Sequence, residues 1–262
     1  MVALAAVFCL TMPSFAQAAI IPNDTFWQKE WHLRQIHAED AWEVTTGSAD
    51  VIVALIDGGV DIAHPELEPN IWTNTREIPG DGLDNDGNGY RDDVHGWNYV
   101  TDSGDVRPVY LKDQVDEAWS HGTITASLLG AVGNNDRGVA GVAWNVRIMP
   151  LVVLDGDGNG GTRNIIYALR YAMAHGAKVI NLSLVGYEYD EALAQMVERA
   201  HDAGILVVAA TGNEGGMEAG IDLAAVYTIL GNRGVLPPDF FWRRLYQAVY
   251  EMAGEATREY ME

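Results

Sequence analysis

The segment VIVALIDGGVDIAHPEL, residues 51–67, joins an unbroken apolar run to an aspartate. Aliphatic residues without polar interruption are typical of a strand that is buried on both faces of a parallel sheet. Asp57 follows this run directly and two glycines come after it. An ionised carboxylate at the end of a buried strand costs free energy unless a partner stabilises it. The segment therefore predicts a strand that delivers Asp57 to a partner elsewhere in the sequence.

The rest of the chain alternates apolar runs with helix-like segments. Further strands are predicted at residues 146–155, 178–184 and 205–210, and helices are predicted to begin at His121, Thr162 and Asp190. This alternation predicts an α/β fold of three layers, with helices on both faces of a mostly parallel sheet. Sites in such sheets form at the carboxyl ends of the strands, where Asp57, Ser183 and Asn213 are expected to lie.

Composition limits the partners of the chain. Its 262 residues suffice for one large domain, and 48% hydrophobic with 20% charged residues is typical of a globular protein. With 16 basic against 37 acidic side chains the net charge is −21, which argues against nucleic acid or an anionic membrane as partners. Such an acidic balance does suit a secreted protein that collects calcium.

The first residues predict a signal peptide. Residues 1–18 contain an apolar stretch that ends on Ala16-Gln17-Ala18, a cleavage signature. No Lys or Arg precedes Lys29, so a disordered apolar N-terminus is the alternative. The prediction implies an extracellular or periplasmic protein, with no membrane span after the signal is removed. The only cysteine, Cys9, would leave with the signal, so no disulfide is expected.

Asp57 has a candidate partner in His121, the first residue of the segment HGTITASLLGAV. A carboxylate that accepts one imidazole N–H fixes the tautomer and leaves the other ring nitrogen free to take a proton. Taken singly, Asp57 also suits a turn and His121 also suits a helix start. The pair predicts a general base only together with the sequence around it.

Four segments, in order along the chain, resemble motifs of the subtilisin-like serine peptidases, the subtilases. ALIDGGVDIAHPEL resembles their aspartate motif and HGTITASLLGAVGNNDRGVAGVA their histidine motif. INLSLVG resembles the strand that pairs with the substrate, and VVAATGNEGG the turn that carries the oxyanion asparagine. The resemblance covers residues 22–216. It implies a subtilisin-like fold and a serine endopeptidase that acts on extended peptides or proteins through an acyl-enzyme.

The resemblance also implies roles for single residues. Asp57 would orient His121, which would act as the general base. The side-chain amide of Asn213 would donate to the oxyanion, a contribution worth about 3–4 kcal/mol of barrier in other enzymes. The substrate-binding residues would be Ser183, Leu184 and Gly186, by addition of the peptide as a strand.

The chain departs from the family pattern at several positions. Gly58 stands where a Ser or Thr is usual, Ile124 replaces a second histidine, and Val185 replaces a glycine in the substrate groove. The motif GTSMAxP, which carries the nucleophile in subtilases, is missing from the sequence. No serine follows Ser183. The sequence therefore predicts a subtilase that is truncated before the catalytic serine or lacks it, and that is inactive as written.

The C-terminal part has its own pattern. We expect a subtilase-like domain at 19–216, with a sheet that is incomplete or remodelled in its C-terminal third, and a divergent, largely helical tail at 217–262. Asp239 suits a helix N-cap, and apolar residues then recur at helical spacing at Phe241, Leu245, Ala248, Val249, Met252 and Ala256. We expect this helix to pack on the sheet; a partner-binding arm is the alternative.

The insertion GDGLDNDGNGYRDDVHGW predicts a calcium loop. Its candidate ligands are Asp84, Asp86, Asn88, the backbone carbonyl of Tyr90, Asp92 and Asp93. Oxygen ligands at alternate positions around a turn glycine suit Ca²⁺, although His95 stands where an EF-hand has Glu. A solvated turn is the alternative. By resemblance, Glu66 and Asn134 match positions that ligate a second calcium ion in relatives.

Three hypotheses stay open at this point. The chain is a fragment of an active peptidase, or a non-catalytic, calcium-binding pseudopeptidase that holds extended peptides, or a calcium-stabilised scaffold or remnant. Peptide binding without turnover would separate the second from the first. A calcium-dependent rise in melting temperature would argue against a remnant that does not fold. Oligomeric state and side-chain preference do not follow from the sequence.

Overall fold

The computed structural model describes residues 19–109, 120–186 and 189–210. Its strands are β1 (Gly47–Asp57), β2 (Trp97–Asn98), β3 (Asn145–Val152), β4 (Val179–Leu182) and β5 (Leu206–Ala209). Its helices are α1 (Trp31–Gln35), α2 (Ala38–Trp42), α3 (His121–Gly130), α4 (Thr162–Ala174) and α5 (Glu191–Asp202), with 3₁₀ turns at Trp27–Lys29 and Glu68–Asn70. The predicted signal peptide, Asn213 and the predicted tail lie outside the described residues.

The five described strands form one parallel sheet in the order β2-β3-β1-β4-β5. β1 lies at its centre, where Leu55 pairs with Pro150 of β3 and with Asn181 of β4. Ile56 pairs with Leu182, so β1 and β4 end at the same edge of the sheet. Because all strands run in one direction, every residue that follows a strand end lies at this edge.

Alternate residues of β1 face two different cores. Ala54 and Ile56 belong to a buried cluster with residues of α4 and α5, whereas Val53 and Leu55 belong to a second cluster with Ala126 of α3. Side chains alternate between the faces of a strand, so α3 covers one face and α4 with α5 cover the other. The predicted three-layer α/β architecture is confirmed.

Local sequence signals set the limits of the longer helices. α5 begins after Asp190, whose carboxylate accepts a hydrogen bond from the N–H of Leu193 at 2.9 Å. Gly176 and Gly204 follow α4 and α5 with φ of 77° and 78°, the left-handed conformation that ends helices. No helix in the described part of the chain is long and apolar enough to cross a membrane.

The sequence predicted the longer strands but missed three short elements. The strands predicted from residue 51, at 146–155, at 178–184 and at 205–210 correspond to β1, β3, β4 and β5. The two-residue β2 and the five-residue helices α1 and α2 were not predicted. Elements this short carry too little periodicity to be recognised, and tertiary contacts define them. The predicted remodelling of the C-terminal third concerns residues that the structure does not describe.

Candidate active site

The end of β1 and the first residue of α3 meet at the carboxyl edge of the sheet. The packing of α3 against β1 brings His121 to Asp57 across 64 residues of sequence. The His121 Nδ1 atom lies 2.9 Å from each of the two carboxylate oxygens of Asp57. Asp57 is 1% exposed, whereas the side chain of His121 is 49% exposed. A buried carboxylate therefore holds a half-exposed imidazole by one ring nitrogen.

Burial dominates the electrostatics of Asp57. Desolvation raises the pKa of its carboxyl above the usual value, and hydrogen bonds from His121 and from the Gly58 N–H lower it in part. The Gly58 N–H lies 2.7 Å from Oδ1. A backbone amide thus donates to the carboxylate at the position where the resemblance implied a Ser or Thr hydroxyl. The Nδ1 bond leaves Nε2 of His121 as the nitrogen that can accept a proton.

Two glycines permit this close approach. A Cβ atom on Gly122 would lie 2.2 Å from the carbonyl oxygen of Gly59 and 3.1 Å from Oδ1 of Asp57. Gly59 has a φ of +116°, and a Cβ there would lie 2.8 Å from the backbone of Pro108. Both positions exclude a larger residue, so the helix start can lie directly against the strand end.

The predicted substrate residues follow β4 at the same edge. The Ser183 hydroxyl accepts a hydrogen bond from the side-chain amide of Asn181 at 2.8 Å. Leu184 packs against the core shared with α4 and α5. A Cβ on Gly186 would meet no atom of the described residues within 4 Å, and Val185 is 42% exposed. Asn213, the predicted oxyanion donor, lies outside the described residues.

The acidic insertion forms a densely hydrogen-bonded loop beside β2. Oxygens of Glu77, Asp84 and Asp86 all lie within 4.8 Å of one another, and this group is the one acidic cluster of that kind among the described residues. The Glu77 carboxylate accepts from the N–H of Asn85 at 2.8 Å and is 6% exposed. Arg76 lies 3.2 Å from Asp86. Three carboxylates at this spacing could hold a metal ion.

Other predicted ligands of the loop have different neighbours. Asp84 accepts from three backbone N–H groups, which lower the pKa of its carboxyl. Asp92 accepts from the N–H groups of Gly80 and Gly82 at 2.7 and 3.0 Å. Asn88 accepts from the N–H of Tyr90 at 2.7 Å. The loop backbone thus uses several of the predicted ligand oxygens as turn-forming acceptors.

Asp93 is fully buried, at 0% exposure. Its carboxylate accepts hydrogen bonds from Tyr171 Oη at 2.5 Å, Asn88 Nδ2 at 2.8 Å and Asn74 Nδ2 at 3.1 Å. The same Asn74 amide also donates to Asp86 at 3.2 Å. Asp93 therefore links the acidic loop to α4, a role that the spacing of the motif did not reveal.

The residues named for a second calcium site also have neighbours in the structure. Glu66 is buried and lies 2.9 Å from Arg137 Nε, and the Asn134 N–H donates to Asp24 at 2.7 Å. Asp24 is 5% exposed, and its Oδ1 atom has no hydrogen-bond partner among the described residues. Neither Glu77 nor Asp24 was found from the sequence, because each lies outside the motif whose spacing was used.

Comparison with known proteins identifies the family. A protein-family model described as "Subtilase family" matches residues 48–232 of the chain. The chain belongs to the subtilase family. This match includes the ends of β1 and β4 and the start of α3, so the carboxyl edge described above is the subtilase part of the molecule.

Single relatives agree with the family match. The chain is 34% identical to the thermophilic serine proteinase of a Bacillus species over 199 residues, which are 76% of this chain and 42% of that protein. It is 32% identical to subtilisin-like protease 1 of Plasmodium berghei over 194 residues, 73% of this chain and 31% of the relative. The chain thus spans less than half the length of these relatives.

Solved structures support the subtilase fold. A protease from Pseudoalteromonas arctica superposes with a TM-score of 0.56 and 29% identity, covering 74% of this chain and 60% of that chain. At this identity, the similarity extends to the family as well as to the arrangement of the sheet.

Proposed function

We propose that Asp57 and His121 form the acid–base pair of a subtilisin-like serine endopeptidase centre. The observation that carries the proposal is the contact of 2.9 Å between the buried Asp57 carboxylate and Nδ1 of the half-exposed His121 ring. This is the arrangement that a histidine needs in order to accept a proton at Nε2 and release it later. The family match supports peptides or proteins as the substrate class.

In this proposal each residue has a defined role. His121 takes the proton of an attacking hydroxyl at Nε2 and then gives it to the leaving amine. Asp57 stays ionised and stabilises the imidazolium that forms between these two steps. The Asn213 amide donates to the developing oxyanion. The segment that holds the extended substrate backbone comprises Ser183, Leu184 and Gly186.

We further propose that these 262 residues do not hydrolyse peptides on their own. No serine follows Ser183 in the sequence. The hydroxyl of Ser127 donates to the carbonyl of Thr123 at 2.8 Å, and the hydroxyl of Ser183 accepts from Asn181. Without an activated nucleophile, a serine-peptidase centre retains only roughly 10³–10⁴-fold acceleration over water.

Fluorophosphonate labelling read by intact mass tests this proposal. We expect no adduct from the folded chain, with or without calcium. His37→Ala, which removes an exposed histidine, is the control for His121→Ala. A stoichiometric adduct that is lost in His121→Ala but persists in His37→Ala would show that an activated nucleophile is present, and would support the acid–base pair. An adduct that persists in both variants would overturn both statements.

The non-catalytic pseudopeptidase is the second candidate function. Gly186 favours it, since a Cβ placed there would meet no atom of the described residues within 4 Å, its chain neighbours left aside, and this leaves room for an incoming backbone. Fluorescence anisotropy with labelled casein peptides would detect binding. Saturable binding without cleavage supports a peptide-holding module, whereas no binding at any concentration removes this candidate.

We propose Ca²⁺ as the ion of the acidic loop. Glu77, Asp84 and Asp86 offer only carboxylate oxygens, the donors that a hard cation prefers, and one arginine neutralises only part of their charge. Asn88, the Tyr90 carbonyl, Asp92 and Asp93 complete the proposed ligand set. Glu66 and Asn134 form the candidate second site, and the buried Asp24, which accepts from the Asn134 N–H, has an Oδ1 atom without a partner among the described residues.

Thermal unfolding in calcium and in chelator tests the loop. At a calcium concentration 100 times the dissociation constant, binding adds about 2.7 kcal/mol. For a domain of this size that is about 5–10 °C in melting temperature. Asp84→Asn should reduce the increase, whereas Asp50→Asn, an exposed position at the start of β1, should leave it intact. A parent chain that calcium does not stabilise would contradict the proposal.

We also propose that the chain is exported and processed after Ala18, and that residues 19–216 form the subtilase domain, followed by a divergent, largely helical tail at 217–262. The Ala16-Gln17-Ala18 signature supports the cleavage site. Mass spectrometry of chain recovered from the periplasm and medium of an expression host should give an N-terminus at Ala19. An uncleaved chain confined to the cytoplasm would contradict export.

A further inference from the structure

One face of the sheet carries exposed apolar side chains at β5. Leu206 is 61% exposed and Val208 is 45% exposed, although both lie in a parallel strand next to β4. Parallel strands are normally covered on both faces, and their apolar residues are buried. Val207, between these two residues, packs against the core shared with α4 and α5. The exposed large apolar side chains of β5 therefore lie on the opposite face, and the small Ala209, on the same face as Val207, is exposed as well.

The register identifies this face as the one that α3 covers further along the sheet. Leu206 pairs with Val179, which pairs with Val53, and Val53 packs with Ala126 of α3. Residues paired side by side point to the same face. Among the described helices, α3 packs over β1 and β3 on this face, and the surface of β4 and β5 beside it has no described helix over it.

The uncovered surface has the width of one helix. Strands are about 4.8 Å apart, so the middle of β4 and β5 lies about 10 Å from the middle of β1 and β3. Packed helices have axes about 8–10 Å apart. A single helix can therefore lie on β4 and β5 in van der Waals contact with α3.

The chain itself contains a segment with the right pattern. The family match ends at residue 232, and residues 239–256 lie beyond it. In a helix about 27 Å long, Leu245, Val249 and Met252 would form one apolar stripe about 10 Å long, and Gln247 would lie on the opposite face. Residues 211–238 connect this segment to the end of β5, which is far more chain than a return to the adjacent surface needs.

We propose that residues 239–256 pack as a helix on the α3 side of β4 and β5. The segment replaces solvent on Leu206 and Val208 with its own apolar stripe. It is tethered to the sheet by residues 211–238, so its effective concentration at this surface is high without a second molecule. The tail is then an internal part of the domain and not an arm that binds a partner.

Thiol labelling of the full chain tests this placement. In a Cys9→Ala background, Val208→Cys reports access to the surface. Adding Leu245→Lys should speed labelling at least tenfold, because a charged residue in the stripe separates the helix from the sheet. Adding Gln247→Lys, the same charge two residues away on the other face, should leave the rate unchanged. Equal rates in all three proteins would overturn the proposal.

A cross-linking experiment covers the case in which Leu245→Lys prevents folding. Under oxidation, Val208→Cys with Leu245→Cys should form an intrachain disulfide, and Val208→Cys with Gln247→Cys should not. Failure of the first pair, or equal yields from the two pairs, contradicts the placement. Disulfides between chains, with protection that is lost on dilution, would assign the surface to a second copy instead and overturn the proposal.

Discussion

Tyr171→Phe removes the hydroxyl that donates to Asp93 and leaves the rest of the ring in place. Burial raises the pKa of the Tyr171 phenol, and the hydrogen bond to Asp93 raises it further, so the hydroxyl stays protonated as the donor. The Tyr171 ring is 2% exposed and keeps its stacking on His175, with ring centres 3.9 Å apart. The substitution therefore creates almost no cavity and tests the hydrogen bond alone.

The expected loss follows from the burial of Asp93. Its carboxylate is 0% exposed and keeps only two side-chain donors after the change. Hydrogen bonds to charged groups contribute about 1.5–3 kcal/mol, and an unsatisfied buried acceptor costs a similar amount. We therefore expect the free energy of unfolding to fall by about 2 kcal/mol. In a domain of this size the melting temperature should fall by about 4–8 °C.

Urea denaturation of Tyr171→Phe beside Tyr167→Phe measures this effect. Tyr167 lies one helical turn earlier on α4, and its hydroxyl accepts from Arg163 at 3.0 Å in an exposed position. That control loses the same atom but should change stability by less than about 0.5 kcal/mol. If the two variants were equally stable, Asp93 would not depend on Tyr171, and the link between the acidic loop and α4 would be refuted.

Three further predictions concern local features. Asp57→Asn should be more stable than the parent near neutral pH, because the raised pKa of the buried carboxyl favours folding in acid and that contribution is lost as pH rises. In urea melts the free energy of unfolding of Asp57→Asn should exceed that of the parent by an amount that grows from about pH 3.8 upwards. A pH-independent difference would show that the buried carboxyl is not its cause. Gly122→Ala should cost about 1–3 kcal/mol, since its Cβ would lie 2.2 Å from the Gly59 carbonyl oxygen. Gly161→Ala, where the new Cβ would meet no atom of the described part of the chain within 4 Å, should cost little, and equal losses in thermal melts would contradict the close approach at Gly122. Asp190→Ala should lower the free energy of unfolding by about 1 kcal/mol through loss of the α5 cap, whereas Asp190→Asn should retain most of the stability that the cap provides. If calorimetry found the two variants equally stable, the cap would not be the cause of the loss.

The sequence was a good guide to the long elements and a poor guide to the short ones. An apolar run closed by Asp57 and two glycines predicts the end of β1, since strand burial and turn chemistry are both local. The two residues of β2 could not be predicted, because their pairing with Leu151 and Val152 is a long-range contact. The same limit applies to Glu77, whose place beside the acidic loop depends on how the chain folds back.

The catalytic prediction has two parts of different origin. The sequence motifs around Asp57 and His121 indicated that both residues belong to one family pattern, and the family is confirmed. Their assigned roles, and those of Asn213 and the substrate strand, stay predictions. The sequence did not indicate that Asp57 is 1% exposed, because its neighbours include the start of α3, at His121 and Gly122, and the N–H of Gly58 after β1.

By itself the sequence determined the α/β class, the family, the positions of the main strands along the chain and the position of an oxygen-rich loop. Each of these features depends on local hydrophobic periodicity or on a contiguous sequence motif. Only the tertiary structure decided that Asp57 is buried against His121, that Glu77 joins Asp84 and Asp86, and that Asp93 is fixed to Tyr171. These neighbours are distant in sequence, and the parallel register and helix packing that bring them together are properties of the whole fold.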